Sequence, residues 1–276
     1  MRMSRRMGLL GGGKVAASPV LNDNEWDVIS AVSTAGEGEN YWSVGDRKEI
    51  ILDGTVGHLT LSNFTTCAFI IGFNHNSSVE GSGRIHFQLA KTALSGGTDI
   101  AFCDSSYNSS VSATGYFSMN GSNTNSGGWE SSQMRNNICG TSLSSYSGTI
   151  IAVIPAALRA VLKPVIKYTN NTGNSMEASA VTATTDYFFL LSEYEAFGSV
   201  VYGNTNEASK QAQYAYYSAG NSKIRYNHSA TSTDVDWWLR TPCASSSTNF
   251  ALMNKGGGFS NTDAVYVSGF APGFCV

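Results

Sequence analysis

The last forty residues, Trp237–Val276, carry the most regular pattern in the chain and limit what it can fold into. Short apolar runs alternate with turns that contain glycine or proline; the runs are 236–242, 249–253 and 264–267. Such runs separated by glycine turns are typical of antiparallel strands. This segment is therefore predicted to form a small antiparallel sheet that acts as a rigid scaffold.

Upstream, the pattern mixes helices and strands. Trp26, Ile29 and Val32 are spaced as one face of a helix, with Asp23 or Asn24 as its cap. Strands are predicted at 48–52, 59–61, 67–73, 165–169 and 187–191, and further helices at 131–138, 156–162 and 206–217. Residues 85–89 are predicted to be another strand or the start of a helix. Helices followed by a terminal antiparallel sheet indicate an α+β fold. One domain is predicted over residues 21–276.

Charged residues make up only 13% of the 276 residues, about half the ordinary share. Ser, Thr, Asn and 29 glycines take their place, which is a composition that adaptable binding surfaces favour. The net charge of −3 gives no attraction to nucleic acid. No apolar run reaches the roughly 18 residues that a membrane span requires, so no membrane partner is predicted.

Residues 1–20 differ from the rest of the chain. Arg2, Arg5 and Arg6 precede an apolar stretch of four residues that three glycines interrupt. A secretory signal needs an apolar stretch of roughly 7–15 residues. The segment is therefore predicted to be a flexible arm that serves attachment or assembly.

The five cysteines, Cys67, Cys103, Cys139, Cys243 and Cys275, show no metal-binding spacing. Free cysteines used as small apolar residues are the main expectation. A Cys243–Cys275 disulfide is left open.

Several motifs occur in an order that resembles a known family. They are YWSVGDRKEIIL, IIGFNHN, NTNSGGWESSQMR, PAALRAVLKPVIKYT, FFLLSEYEAFG, QYAYY, WWLRTP and GFAPGFCV. Over residues 24–276 the chain resembles DUF6273-type domain proteins, which occur in surface proteins and phage structural proteins of gut bacteria.

The resemblance implies a C-type-lectin-like fold, related to the formylglycine-generating-enzyme group and to the variable proteins of retroelements. It also implies a phage virion component, in a tail or capsid appendage, with a homo-oligomeric state such as a trimer. The N-terminal arm would then contact other virion proteins.

Trp237, Trp238 and Arg240 lie in the strand predicted before Pro242, where alternate side chains face opposite sides. The main interpretation is structural: a tryptophan packs in the core and Arg240 binds a carbonyl or carboxylate. An alternative is that Trp238 is exposed as an aromatic platform for a sugar. Structural roles are also predicted for Glu193, Phe274 and Cys275.

Two polar stretches of the same segment form the candidate ligand-binding set. Its members carry hydroxyl, amide or carboxylate groups and are Ser245, Ser246, Ser247, Thr248, Asn249, Ser260, Asn261, Thr262 and Asp263. Ordinary polar loops are the alternative interpretation.

Motifs of catalysis are sparse. Glu193 and Glu195, on a strand-like run, would share a face and could act as an acid–base pair, although pinning a loop or pairing with Arg240 is the more common role. His75 is a possible base. Neither a nucleophile elbow nor a zinc-protease motif occurs. No catalytic residue, metal or cofactor is predicted.

These observations predict a non-enzymatic phage virion protein that binds a host surface glycan or protein and is located in the extracellular particle, or otherwise on a bacterial surface. The alternatives are a purely structural virion component and an enzyme of the sulfatase-modifying type.

Overall fold

The structure is a computed structural model that describes residues 16–103 and 117–276. Its strands are β1 (Arg47–Val56), β2 (Leu59–Phe73), β3 (Ile85–Lys91), β4 (Ile100–Ala101), β5 (Val165–Asn170), β6 (Val181–Asp186), β7 (Phe188–Phe189), β8 (Arg225–Asn227), β9 (Ala230–Val235), β10 (Trp237–Pro242), β11 (Asn249–Met253), β12 (Phe259–Asp263) and β13 (Gly273–Cys275).

The α-helices are short, and only the first exceeds two turns. They are α1 (Trp26–Thr34), α2 (Gly38–Tyr41), α3 (Ser77–Glu80), α4 (Gly128–Ser131), α5 (Ile150–Val153), α6 (Ala156–Arg159), α7 (Glu193–Phe197) and α8 (Ala215–Ser218). With 23% helix and 33% strand in several small sheets, the fold is α+β, as the sequence predicts.

The main sheet has the order β1-β2-β3-β13-β7, with antiparallel pairs throughout. The predicted strands 59–61 and 67–73 are parts of the single strand β2. Residues 67–72 are buried, as their continuous apolar run predicts. This sheet forms the centre of the core.

The chain's last strand, β13, lies inside the main sheet between β3 and β7. The ring of Phe274 is fully buried and stacks on Phe87 with 5.3 Å between the ring centroids. Gly273 allows this close packing, because a Cβ there would lie 2.8 Å from the ring of Phe189. Phe274, for which a structural role is predicted, thus packs in the core.

Three smaller sheets surround the main one, with the orders β10-β11-β12, β4-β8-β9 and β5-β6. The predicted strand 264–267 is wrong, since the third strand of the C-terminal sheet is β12 and a turn follows it, closed by the Tyr266 N–H to the Asp263 carbonyl at 3.0 Å. Ala264 and Val267 are nevertheless buried. Their apolar character therefore indicates that they are buried, and it does not indicate a strand.

The predicted helix 206–217 is also wrong. A 3₁₀ turn (Thr205–Ser209) and the short helix α8 are separated by extended chain. This interruption carries Tyr214 into the interior, where its N–H donates to the Glu195 carbonyl at 3.0 Å. The predicted helix 131–138 is divided between α4 and a π-helical turn, Met134–Cys139.

Helix α1 buries Trp26, Ile29 and Val32, as their spacing predicts. Its N-cap is Glu25 without a side-chain bond, and the Asn24 side chain instead donates to nearby backbone carbonyls. Of the predicted arm 1–20, residues 1–15 lie outside the described residues, and the Ser18 carbonyl accepts from the Trp42 indole at 3.0 Å. Within the described ranges no helix is long and apolar enough to cross a membrane.

Candidate binding surface and buried polar cluster

Both tryptophans of β10 are fully buried. The indole N–H of Trp237 donates to the Lys223 carbonyl at 2.9 Å, and that of Trp238 donates to the Phe117 carbonyl at 2.8 Å. Trp237 therefore lies in the core, the position that the scaffold interpretation expects. The sugar platform considered for Trp238 is wrong, because a ring without exposed area cannot stack on a ligand.

Arg240 is buried in the interior, and all three of its guanidinium nitrogens donate hydrogen bonds. It donates to the Leu190 carbonyl at 2.7 Å, to Thr169 Oγ1 at 2.9 Å and to both carboxylate oxygens of Glu195. Burial alone would raise the pKa of Glu195, but the charges of Arg240 and Lys167 outweigh burial and hold that pKa well below its usual range. Arg240 thus binds both a carbonyl and a carboxylate, the contacts that its structural interpretation expects.

Glu193 and Glu195 do not share a face of a strand. They lie in α7, whose N-cap Ser192 forms a capping box with Glu195. The Glu193 carboxylate instead accepts the backbone N–H groups of residues 201–203 at 2.9–3.3 Å. Each carboxylate therefore has a separate structural task, and the two do not form an acid–base pair.

Four members of the predicted ligand-binding set bond to one another. Asn249 Oδ1 accepts from Thr248 Oγ1 at 2.7 Å and from Ser246 Oγ at 3.2 Å, and its amide donates to Asn261 Oδ1 at 2.6 Å. These bonds join the loop before β11 to β12. These four side chains therefore mainly stabilise the surface by bonding to one another, and they offer few free polar groups to a ligand.

The other five members are exposed or partly exposed. Ser245 and Ser247 are exposed, and Ser260, Thr262 and Asp263 are partly exposed on β12. Within the described residues the side chains of these five make no hydrogen bond. The structure therefore places the outward-facing polar groups on one loop and one edge strand.

A buried asparagine that the sequence did not single out organises this loop. The Asn125 amide donates to the carbonyls of Cys243, Ser246 and Asn249 at 3.1, 2.7 and 2.9 Å. Its backbone N–H donates to the Ser247 carbonyl at 2.8 Å. Only the surrounding sequence, rich in Asn, Ser and Gly, hinted at such a turn.

A shallow groove is formed by residues on both sides of Asn125 in the chain, and Asn125 itself bonds to the loop. Its lining carries amides, hydroxyls and backbone but no ionisable side chain; the lining residues are Asn120, Gly121, Ser122, Thr124, Ser126, Ser131 and Gln133. The Asn120 N–H donates to the Ala264 carbonyl at 3.0 Å, which fixes the groove to the end of β12. We call the groove, the loop 245–249 and the strand residues 260–263 the polar surface.

A cluster of ionisable groups lies in the interior, beyond what the sequence predicted. Lys167 on β5 donates to Glu80 Oε2 at 2.8 Å, to Glu195 Oε1 at 2.9 Å and to the Tyr214 hydroxyl at 2.8 Å. All these side chains are buried. Together with Arg240, the cluster pairs two carboxylates with two cations.

His75, Glu80 and His86 lie at one end of this cluster. His75 Nδ1 is 3.2 Å from Glu80 Oε1, and His86 Nδ1 is 3.8 Å from Glu80 Oε2. The ring of His75 stacks on Tyr214, and the Sγ of Cys275 is 3.2 Å from His86 Nδ1. Burial and then the charge of Lys167 hold the pKa of His86 well below its usual range.

The turn that carries His75 depends on two asparagines with left-handed backbone, Asn74 (φ 44°) and Asn76 (φ 45°). Asn74 Oδ1 accepts the Gly83 N–H at 2.7 Å, and the Asn76 amide donates to the Lys210 carbonyl at 2.9 Å. The FNHN motif thus builds the turn. The sequence marked His75 as a possible base but gave no sign that Glu80 and His86 lie beside it.

All five cysteines are buried free thiols, as the main expectation held. The Cys243–Cys275 disulfide is not formed. Burial raises the pKa of the Cys243 thiol to about 12 and that of the Cys275 thiol well above its usual range. Cys275 thus has the predicted structural position, within the core.

Comparison with known proteins identifies the family of this chain. No curated protein and no solved structure matches the chain. Residues 109–276 match the family described as Domain of unknown function (DUF6273), and this match spans more than half of the sequence. The resemblance to DUF6273-type domain proteins is therefore confirmed over residues 109–276, and the chain belongs to the DUF6273 family.

Proposed function

We propose that this chain is a non-enzymatic phage virion protein with a C-type-lectin-like architecture, which attaches the particle to a host surface glycan or protein through the polar surface. The observation that carries the binding role is the groove beside the loop 245–249. Its uncharged lining offers hydrogen-bond donors and acceptors side by side.

The chemistry of the lining indicates the class of ligand. Amides and hydroxyls match the hydroxyl groups of an uncharged glycan or the backbone of a protein loop. Among the groove residues there is no cation that would select a phosphate and no carboxylate that would select a metal. We therefore expect a neutral ligand, bound reversibly.

The support beneath the surface suits display. Asn125 fixes the loop from below with three bonds, and the buried indoles of Trp237 and Trp238 fix the adjacent strand. A rigid support lowers the entropic cost of ordering surface side chains on binding. Variation at the five outward-facing residues would leave that support intact.

The carboxylates considered for catalysis serve the fold. Glu193 caps backbone N–H groups and Glu195 pairs with Arg240 and Lys167. Both are buried and neither lines the groove. These positions favour binding over an enzyme of the sulfatase-modifying type.

The test is binding of the purified full chain to a glycan array and to intact host cells. The proposal predicts saturable binding that ionic strength affects little, because the lining is uncharged. If the chain binds neither and instead assembles tightly with other particle proteins, the polar surface is a contact between virion subunits and the attachment role is wrong.

A further inference from the structure

We propose that His75, Glu80 and His86 form a binding site for a divalent transition-metal ion of the zinc class. One ligand atom from each of the three side chains lies within 4.8 Å of the other two. The site is separate from the polar surface, so it goes beyond the proposed attachment function.

The spacing of the ligand atoms fits such an ion. Tetrahedral ligands about 2.1 Å from a zinc ion lie roughly 3.4 Å from one another. The observed separations of the histidine Nδ1 atoms from the Glu80 carboxylate are 3.2 and 3.8 Å. To bind an ion, the three ligand atoms, now within 4.8 Å of one another, would have to move closer together, and His86 Nδ1 would have to exchange its 3.1 Å contact with the Tyr214 hydroxyl for the metal.

The hydrogen bonding of His75 gives an independent argument. Its Nε2 lies 2.9 Å from the Ala212 carbonyl, and a carbonyl can only accept, so Nε2 carries the proton. In the neutral ring Nδ1 then holds a lone pair that faces the Glu80 carboxylate, and Nδ1 is buried without a hydrogen-bond partner. Two acceptors that face each other require a cation between them or an added proton on the ring.

The bond from Nε2 to the carbonyl is also the support that metal-ligating histidines use. The outer N–H of such a ring is held by a carbonyl or carboxylate, which fixes both the tautomer and the direction of the ligating nitrogen. His75 has this arrangement through Ala212. The left-handed residues Asn74 and Asn76 fix its backbone on either side.

The donor set selects the kind of ion. Lys167 already binds Glu80 Oε2 at 2.8 Å, which leaves mainly Oε1 for a metal. Two nitrogens and one oxygen suit Zn²⁺ or Co²⁺, whereas Ca²⁺ and Mg²⁺ require several oxygen ligands.

The experiment is a Co²⁺ titration of the full chain after dialysis against a chelator, followed by visible absorption and by the thermal midpoint. The proposal predicts absorption bands of tetrahedral Co²⁺ that saturate near one equivalent, together with a raised midpoint. Ca²⁺ should produce neither change. Zn²⁺ should displace the Co²⁺ and abolish the bands.

The matched variants are His75→Gln, at the edge of the cluster, and His58→Gln, on the exposed surface. Loss of a direct ligand should weaken Co²⁺ binding at least about tenfold, while His58→Gln should leave it unchanged. A folded wild-type chain without Co²⁺ bands or a midpoint shift would overturn the proposal, since a proton would then bridge His75 and Glu80. This measurement on the wild-type chain decides the proposal even if His75→Gln fails to fold.

Discussion

Arg240 and Glu195 face each other at the centre of the domain as a buried two-point ion pair, with Nη2 2.8 Å from Oε1 and Nη1 bound to Oε2. The pair connects the C-terminal sheet to helix α7, and Lys167 extends it to β5. The scaffold below the polar surface is thus joined to the rest of the domain through charge as well as through apolar packing.

Removing one partner of this pair should be strongly destabilising. Arg240→Ala leaves Glu195 with one cation fewer and leaves the Leu190 carbonyl without its donor. We expect the free energy of unfolding to fall by about 3–5 kcal/mol, measured by urea denaturation. Lys255→Ala, at an exposed turn, is the control and should change it by less than about 0.5 kcal/mol. A small effect at Arg240 would show that the pair is not needed for stability.

Asn125 should control the order of the loop 243–249. Asn125→Asp is nearly isosteric but replaces the amide donor with a carboxylate that faces three carbonyl oxygens. We expect a loss of about 1–3 kcal/mol and faster hydrogen exchange at the loop amides. Asn123→Asp, on the exposed side of the same turn, should leave exchange in the loop unchanged. Equal protection in both variants would contradict this role of Asn125.

Glu207 should make the domain less stable as the pH rises from about 4.5 to 7. Burial raises its pKa to about 7, although the Asn170 N–H and the charge of Arg240 partly oppose this. The folded state then holds a proton that the unfolded state, with a pKa of about 4.3, has already released. The stabilisation that this proton provides is therefore fully present below the pKa of the unfolded state. It is lost as the pH rises through the pKa of the folded state, by on the order of 2–3 kcal/mol.

Glu207→Gln should reduce this decline, as followed by urea denaturation at several pH values. Burial also raises the pKa of Glu193, which adds a decline of the same sign that the substitution leaves in place. The same steep decline in wild type and variant would show that Glu207 is ionised in the folded protein throughout this range.

The sequence predicted the elements that have a simple apolar pattern. The continuous run 67–73 and the spacing of Trp26, Ile29 and Val32 gave the central strand and the first helix correctly. The motif Trp-Trp-Leu-Arg predicted the buried scaffold strand, because the rigid guanidinium group of an arginine typically binds several polar groups at once. The ordered motifs gave the family.

What the sequence missed depends on contacts between distant residues. Edge strand β12 is partly exposed on both faces, so it lacks the alternation that marks a strand. Glu80 and His86 meet His75 only because β2, β3 and the intervening turn bring them together, and no spacing in the sequence indicates that meeting. Asn125, which lies between groove residues 124 and 126, likewise joins this segment to a loop near 245.

The most direct test of the central claim is the affinity of host cells for two matched tryptophan variants of the full chain. Ser126→Trp fills the groove, and Ser232→Trp adds the same side chain to exposed strand β9, in a different sheet. We predict that Ser126→Trp weakens binding at least about tenfold, or roughly 1.4 kcal/mol, while Ser232→Trp binds as wild type does. Equal binding by wild type and both variants would show that the ligand does not use the polar surface.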